Sequence, residues 1–256
     1  IFDGSGGDEI SAGYTYQILP WIMDMINEKN IKSSHQRFNR MLNLGKKKYT
    51  KKEFIKGSLM NFLSPGNTTP DGGFYEKTKF INKDFLESFS NEKISLSKPF
   101  KSFLRNSQYQ DLYHLKLPRC LKYIDRASMH NSIESRVPLL DHELVETCFQ
   151  APSKFKMLFN TQRILLKYPF KNSIPKKIFK KNKKTIADPQ TIWLKSKLKE
   201  PFYEYVINSS KKTGIFNTKI IRKFYDKFCR SQSHINSFFL LQIFLTELWH
   251  QEILKK

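Results

Sequence analysis

Two carboxylates, Asp8 and Glu9, stand directly after Gly4-Ser5-Gly6-Gly7, and Asp3 stands before it. Ile1-Phe2 reads as the end of a strand, the glycines as a turn, and Asp8 onward as a helix start. A strand, a glycine-rich turn and a helix N-terminus make an anion site: backbone N–H groups point outward, the helix dipole favours negative charge, and glycine lets a phosphate approach. Carboxylates just past such a turn suit Mg2+ better than phosphate itself. The same residues also fit a plainer reading, in which the glycines serve a tight turn and the acids complement the dipole. A second concentration of charge runs through Asp125, Arg126, Glu134, Arg136 and Asp141, with apolar residues on both sides. Burial of these groups requires that they satisfy one another. The flanks favour a buried ionic network forming one wall of a site over a solvated turn. A third feature is the run from Pro175 to Lys184 with six lysines, a solvated face or a nucleic-acid patch.

The elements that would position these groups are almost all helical. Ile1-Phe2 is predicted to be a buried strand end. Residues 8–29 form a helical pattern divided at Pro20. Helices are predicted over 33–44 and 51–63, and the Gly- and Pro-dense stretch 64–73 is a loop, read as an exposed connection rather than a substrate cover. Residues 75–107 give short amphipathic pieces. A helix is predicted over 108–130 with Leu112, Leu115, Leu117, Leu121 and Ile124 as its apolar side and Pro118 near its middle. Further helices follow over 141–150, 161–172, 190–209, 217–231 and 235–254. The apolar run Phe238 to Trp249 suits a buried helix and is too interrupted and short for a membrane span.

The 256 residues suffice for one large domain or two small ones. Hydrophobic content of 39% and aromatic content of 14% mark a folded chain. The net charge of +22 admits a polyanionic substrate, nucleic acid, an anionic surface or an acidic partner, or merely a lysine-rich composition bias. Cys120, Cys148 and Cys229 are far apart and odd in number, which argues against a disulfide framework or a zinc knuckle and fits a reducing cytoplasm. The six histidines show no metal-binding spacing. With no initiator Met and an opening that reads as strand interior, the chain is expected to be a fragment that lacks its N-terminal part.

Four blocks in order carry a resemblance. Gly4-Ser5-Gly6-Gly7-Asp8-Glu9 with Gly13-Tyr14, then Leu121 to Met129, then Ile133-Glu134-Ser135-Arg136-Val137-Pro138-Leu139-Leu140-Asp141, then Ile174-Pro175 with Lys183, Pro189 and Trp193, together resemble the synthetase domain of glutamine-dependent asparagine synthetases. The match covers roughly residues 1–200. The resemblance implies that residues 1–256 are the C-terminal portion of that domain, an α/β fold of the adenine-nucleotide alpha-hydrolase (ATP-pyrophosphatase) kind, mostly α-helical here after one strand. It implies an ATP-dependent, Mg2+-dependent reaction. The aspartate β-carboxylate attacks the α-phosphorus, pyrophosphate leaves, and ammonia from glutamine converts the acyl-adenylate to asparagine and AMP. Position by position, Asp3, Gly4, Gly6 and Gly7 match the loop that contacts ATP, with Glu9 supporting it. Asp8 matches the Mg2+ ligand. Lys183 matches the lysine that neutralises pyrophosphate, with Lys181 and Lys184 as neighbours. Arg126, Glu134 and Arg136 match the family's charged wall, with a structural role preferred.

The sequence departs from that pattern in informative places. Ser5 stands where many members have a Glu that serves acyl-adenylate formation, and Thr185-Ile186 stand where Gly and Phe are usual. The SGGxDS pyrophosphate loop is absent, as is the N-terminal cysteine that hydrolyses glutamine; both are expected in a further half, in cis or as a separate polypeptide. Relatives that adenylate another carboxylate, or cyclise, fit the retained residues equally. An inactive remnant and a basic nucleic-acid-binding protein remain as other readings, the last a distant one. No membrane association is expected, and a homodimer stays open.

Overall fold

A computed structural model describes residues 1–28, 78–88, 96–157, 162–179, 189–209, 213–231 and 237–254. The helices predicted over 33–44 and 51–63 and the loop 64–73 lie outside them. The chain divides into two compact units, one of residues 1–66 and 95–184, the other of residues 67–94 and 185–256.

The first unit begins with a strand-like rung. Phe2 pairs in parallel with Arg136: Asp3 N–H donates to the Arg136 carbonyl at 2.8 Å and Arg136 N–H to that of Ile1 at 2.8 Å. An isolated bridge therefore stands where a buried strand end was predicted; no strand forms there among the described residues, and the rung is not buried. Ile1 is 74% and Phe2 82% exposed. Parallel strands are buried by layers over both faces, and no such layer covers this rung among the described residues. A single helical turn, Gly7–Ile10, follows. Gly6 precedes it with φ 89°, a left-handed conformation that glycine adopts without a Cβ clash. After a turn, a helix spans Ile18–Asn27. The division predicted at Pro20 falls instead between Ser11 and Tyr14. Pro20 lies in the first turn of the later helix, where its missing N–H has no helical partner to lose.

The helix predicted over 108–130 is two. Phe103–Gln110 runs on through a wide turn, Asp111–Leu115, and a new helix spans Leu117–Met129. Pro118 again occupies a first turn, the place a proline tolerates. Of the apolar residues assigned there, Leu112 and Leu117 are buried. Asp141 caps the His142–Gln150 helix by accepting from Glu143 and Leu144 N–H at 3.0 and 3.3 Å, a standard N-cap. The helix predicted over 161–172 shrinks to the turn Ile164–Lys167. Two apolar clusters hold this unit. Ile18, Trp21, Ile22 and Met25 pack with Leu104 and Met157, and Ile10 packs with Leu112, Leu117 and Cys148.

The Ile18–Asn27 helix also carries a buried carboxylate. Asp24 accepts from Phe103 N–H at 2.7 Å, Leu104 N–H at 3.3 Å, and the Ser102 and Ser153 hydroxyls at 2.5 and 2.6 Å. It therefore satisfies the orphan N–H groups that open the Phe103–Gln110 helix.

The second unit is an aromatic-rich helical assembly. Its helices span Gln190–Lys195, Lys199–Phe202 with a wide turn to Asn208, Thr218–Arg230, and Ser237–Trp249 with a wide turn to Leu254. An antiparallel rung joins Ile81 to Phe216. Phe202 stacks on Tyr225 with centroids 3.9 Å apart, and Leu194, Val206, Ile221, Leu240, Ile243 and Phe244 complete the core. The Phe238–Trp249 run is a helix as predicted, with Leu240, Ile243 and Phe244 buried. Among the described residues no helix is long and apolar enough to cross a membrane.

Candidate functional site

The opening loop is closed by its own side chains. The Asp3 carboxylate accepts from Ser5 N–H at 2.8 Å, the Asx-type turn that short acids favour. The Ser5 hydroxyl and N–H hold the Asp3 carboxyl below its ordinary value. Gly4 faces open space: a Cβ added there meets nothing within 4 Å. The other two loop glycines are explained by packing. A Cβ on Gly6 would collide with Leu140, and one on Gly7 would lie 2.8 Å from Leu139 and 3.3 Å from Leu166. Packing therefore accounts for two of the glycines that the resemblance assigns to the ATP loop. Gly6 and Gly7 let the turn press onto Leu139 and Leu140, and Gly4 alone borders open space. Two of the sequence blocks, the glycine loop and the Glu134–Asp141 segment, are in this way brought together by the Phe2–Arg136 rung and by these leucines.

Asp8 is held from two sides. Its backbone carbonyl accepts from Gly13 N–H at 2.8 Å. A Cβ on Gly13 would lie 2.6 Å from Asp8 Cγ, so only glycine fits there. Arg163 Nε lies 3.5 Å from Asp8 Oδ1, with both side chains largely buried. Arg163 has φ 60°, an uncommon left-handed conformation for a side-chain-bearing residue and one that clusters at functional sites. Lys167, one turn on, has its pKa lowered by burial and by Arg163, with Asp8 opposing. Nothing in the sequence singles out Arg163 or Lys167, because 155 residues separate Arg163 from its partner and no local spacing joins them.

Glu9 turns inward. It is 4% exposed and accepts from the Tyr14 hydroxyl at 2.6 Å. Tyr14 stacks on Tyr16 at 5.2 Å, and the Lys116 ammonium lies 3.5 and 4.1 Å from the two ring centroids, a cation–π contact. Tyr16 and Gln17 donate to Asp111 Oδ2 at 2.7 and 2.9 Å. Burial pushes the Asp111 carboxyl up to about 6 against the opposing pull of Lys116 and the Tyr16 hydrogen bond. Burial, then the Glu9 charge, raises the Tyr14 hydroxyl well above its ordinary value.

Behind the Asp8 turn, Gln108 Nε2 donates to the carbonyls of Glu9 and Ile10 at 2.9 and 2.7 Å. Its Oε1 accepts from Lys156 Nζ at 2.8 Å. Lys156 is 0% exposed. Burial first, then Arg105, lowers its pKa to about 7, with Cys148 and Asp24 opposing. These polar residues escaped the sequence reading because each lies on an otherwise ordinary helix, and a lone Gln or Lys carries no pattern.

The charged wall is corrected. Glu134 and Arg136 pair at 2.7 Å, but both side chains are 67% exposed. Asp125, Arg126 and Asp141 are exposed as well. Alternation along this extended stretch puts Glu134 and Arg136 on one outward face, and Asp141 serves as a helix cap. Arg126 forms no ion pair among the described residues. Lys183, Lys181, Lys184 and Thr185-Ile186 lie outside the described residues, while Lys176 and Lys177 are exposed.

The residues present fit a nucleotide with its cation in part. Gly4 borders open space, and Arg163 and Lys167 supply positive charge of the kind that faces phosphate oxygens. Asp8 is a suitable Mg2+ ligand, but in this structure a guanidinium already faces it, so a divalent ion would compete with Arg163. No cluster of three or more potential metal ligands occurs among the described residues.

The asparagine synthase family model matches residues 1–251. Asparagine synthetase [glutamine-hydrolyzing] 1 of Bacillus subtilis (strain 168) is 22% identical over 174 residues, 68% of this chain and 26% of that protein. The chain thus spans about a quarter of the length of this curated relative. No solved structure matches. The family's domain has the ATP-pyrophosphatase fold, and the described residues of this chain are mostly helical. On the matched residues, and on the packing of its glycine loop against the Glu134–Asp141 segment, the chain belongs to the asparagine synthase family.

Proposed function

We propose that the chain carries one side of the nucleotide site of an ATP-dependent, amide-forming ligase. The observation that supports this most is the meeting of Asp8 with Arg163 at 3.5 Å beside a glycine loop. A carboxylate and a cation side by side suit a metal–triphosphate, which carries both signs of charge. In this reading Asp8 would hold Mg2+, and Arg163 and Lys167 would face the phosphates. Mg2+ would neutralise charge on the departing pyrophosphate.

The substrate is a carboxylate, aspartate in the first instance. A carboxylate is a poor electrophile, so its oxygen attacks the α-phosphorus and pyrophosphate leaves. Ammonia, drawn from glutamine in the relative named above, then displaces AMP from the acyl-adenylate. This chain's residues bind and orient the nucleotide, and preorganised positive charge favours the step in which negative charge develops. Lys183 would add to that charge. The triphosphate loop and a glutamine-hydrolysing cysteine would come from a further half, in cis or in trans. A cytoplasmic location fits the three free cysteines.

A second reading differs only in the acceptor. Ser5 has no charge and a short reach, and it already engages Asp3, which favours a carboxylate other than aspartate or an internal amine in place of ammonia. ATP–pyrophosphate exchange by the full-length protein, with that further half present, separates the two. Exchange with aspartate and Mg2+ supports the first, exchange only with another carboxylate supports the second, and no exchange with any carboxylate overturns both.

A further inference from the structure

The single turn that carries Asp8 cannot hold itself. Four residues close too few hydrogen bonds to offset the cost of helix nucleation. The carbonyls at its end, those of Glu9 and Ile10, are acceptors with no helical partner. Gln108 supplies the missing donors, both hydrogens of one amide, at 2.9 and 2.7 Å. An amide has two faces, and only one of them fits here. Turned over, its oxygen would meet two carbonyl oxygens.

Lys156 reinforces that orientation. In its charged form it has donors only, and its 2.8 Å contact to Gln108 Oε1 holds the amide with its hydrogens toward the turn. No carboxylate of the described residues lies within ion-pair distance of Lys156, and the Phe149 ring lies 5.3 Å from its nitrogen. A buried cation without a close counter-charge is a poor source of stability, and an apolar residue of similar volume commonly does better. What this lysine provides in return is orientation.

We propose that Lys156, acting through Gln108, is a positioning residue for the nucleotide site: it fixes the amide that anchors the turn bearing Asp8. The inference rests on the nucleotide reading given above only for its catalytic consequence; the anchoring itself is independent of it. Lys156→Met removes the lock. Gln108→Glu keeps the shape and gives Lys156 a counter-charge, but sets a carboxylate oxygen against the two carbonyls. Lys156→Arg preserves a donor-only group.

Two measurements on the intact protein test this. The first is amide hydrogen exchange, followed by mass spectrometry, over residues 7–14 and, as an internal reference, over 18–27. Lys156→Met and Gln108→Glu are expected to speed exchange in the first segment about tenfold or more, leaving the second unchanged, with Lys156→Arg near wild type. The second is the KM for ATP in ATP–pyrophosphate exchange, expected to rise on the order of tenfold in the first two variants with a smaller change in kcat. A packing role alone would lower the melting temperature and leave KM untouched. Unchanged protection of residues 7–14 in both variants overturns the proposal whatever the enzyme does. Lost protection in a protein that exchanges with no carboxylate upholds the anchoring and removes the ligase reading instead. Lost protection with an unchanged KM overturns the positioning role.

Discussion

In the second unit the fully buried large side chains, Phe202, Tyr225, Leu194, Ile221, Leu240 and Ile243 among them, are aromatic or aliphatic; in the first, Lys156 is buried as deeply as any of these, and Asp24, Gln108 and Asp111 are buried along with Trp21 and Leu104. Among the described residues the second unit buries fewer charged groups: Glu247 is its one buried carboxylate, and it accepts from Thr213 N–H at 3.1 Å and the Thr213 hydroxyl at 2.8 Å. The first spends burial on groups that must be oriented. Asp24 caps a helix, Gln108 anchors the Asp8 turn, and Asp111 gathers Tyr16 and Gln17. Stacked rings and aliphatic packing stabilise without demanding a unique polar geometry, whereas a satisfied polar network specifies one arrangement at a cost in desolvation. The difference is one between a core held by packing and a core that fixes polar orientation, which the proposed function assigns to a scaffold and to a positioned site.

That contrast can be broken by substitution. Phe202→Ala removes a fully buried ring from the stacked core and is expected to cost about 3–5 kcal/mol, read as a lower denaturation midpoint. Exchange activity per folded molecule should stay at the wild-type level. Gly13→Ala drives a methyl group into Asp8 and is expected to cost about 1–3 kcal/mol. Here nucleotide affinity should fall along with stability, because on the proposed function the displaced Asp8 holds the nucleotide's cation.

Titration sharpens the same comparison. Asp111 has a folded value of about 6 against an ordinary 3.8. From pH about 4 to 6 the folded chain therefore keeps a proton that the unfolded chain has released, and rising pH favours unfolding. Lys156 has a folded value of about 7 against 10.5. From pH about 7 to 10 the unfolded chain holds the extra proton, and rising pH favours folding. Melting temperature followed against pH is expected to fall through the first window and rise through the second. Asp111→Asn should flatten the first slope and Lys156→Met the second. The smallest effect belongs to the exposed Glu134–Arg136 pair: Glu134→Gln is expected to change stability by no more than about 0.5 kcal/mol in a denaturant titration.

The sequence made some of this legible for physical reasons. Helix periodicity located most of the helices from Leu117 onward, and the run Gly4 to Glu9 announced a turn followed by a helix start. The extended pairing at Phe2 was readable from its residue types, but it amounts to one isolated bridge, and its exposure was not readable, since burial depends on layers that no local pattern encodes. Pro20 and Pro118 misled because a proline inside a helical pattern reads equally as a kink or as a first turn. The charged segment misled because flanking apolar residues mark the elements on either side, Leu139 and Leu140 packing under the glycines while Glu134 and Arg136 face outward. Arg163, Gln108 and Lys156 were invisible, as their significance arises only when the fold brings them to Asp8 or to the carbonyls of Glu9 and Ile10.

The most direct test compares ATP–pyrophosphate exchange, with Mg2+ and a panel of carboxylates, in the wild-type protein and in Asp8→Ala, with thermal unfolding measured alongside. Wild-type exchange with at least one carboxylate is expected, and its loss by about a hundredfold or more in Asp8→Ala without earlier unfolding. Equal exchange in the two proteins would contradict the placement of the nucleotide at the Asp8 turn.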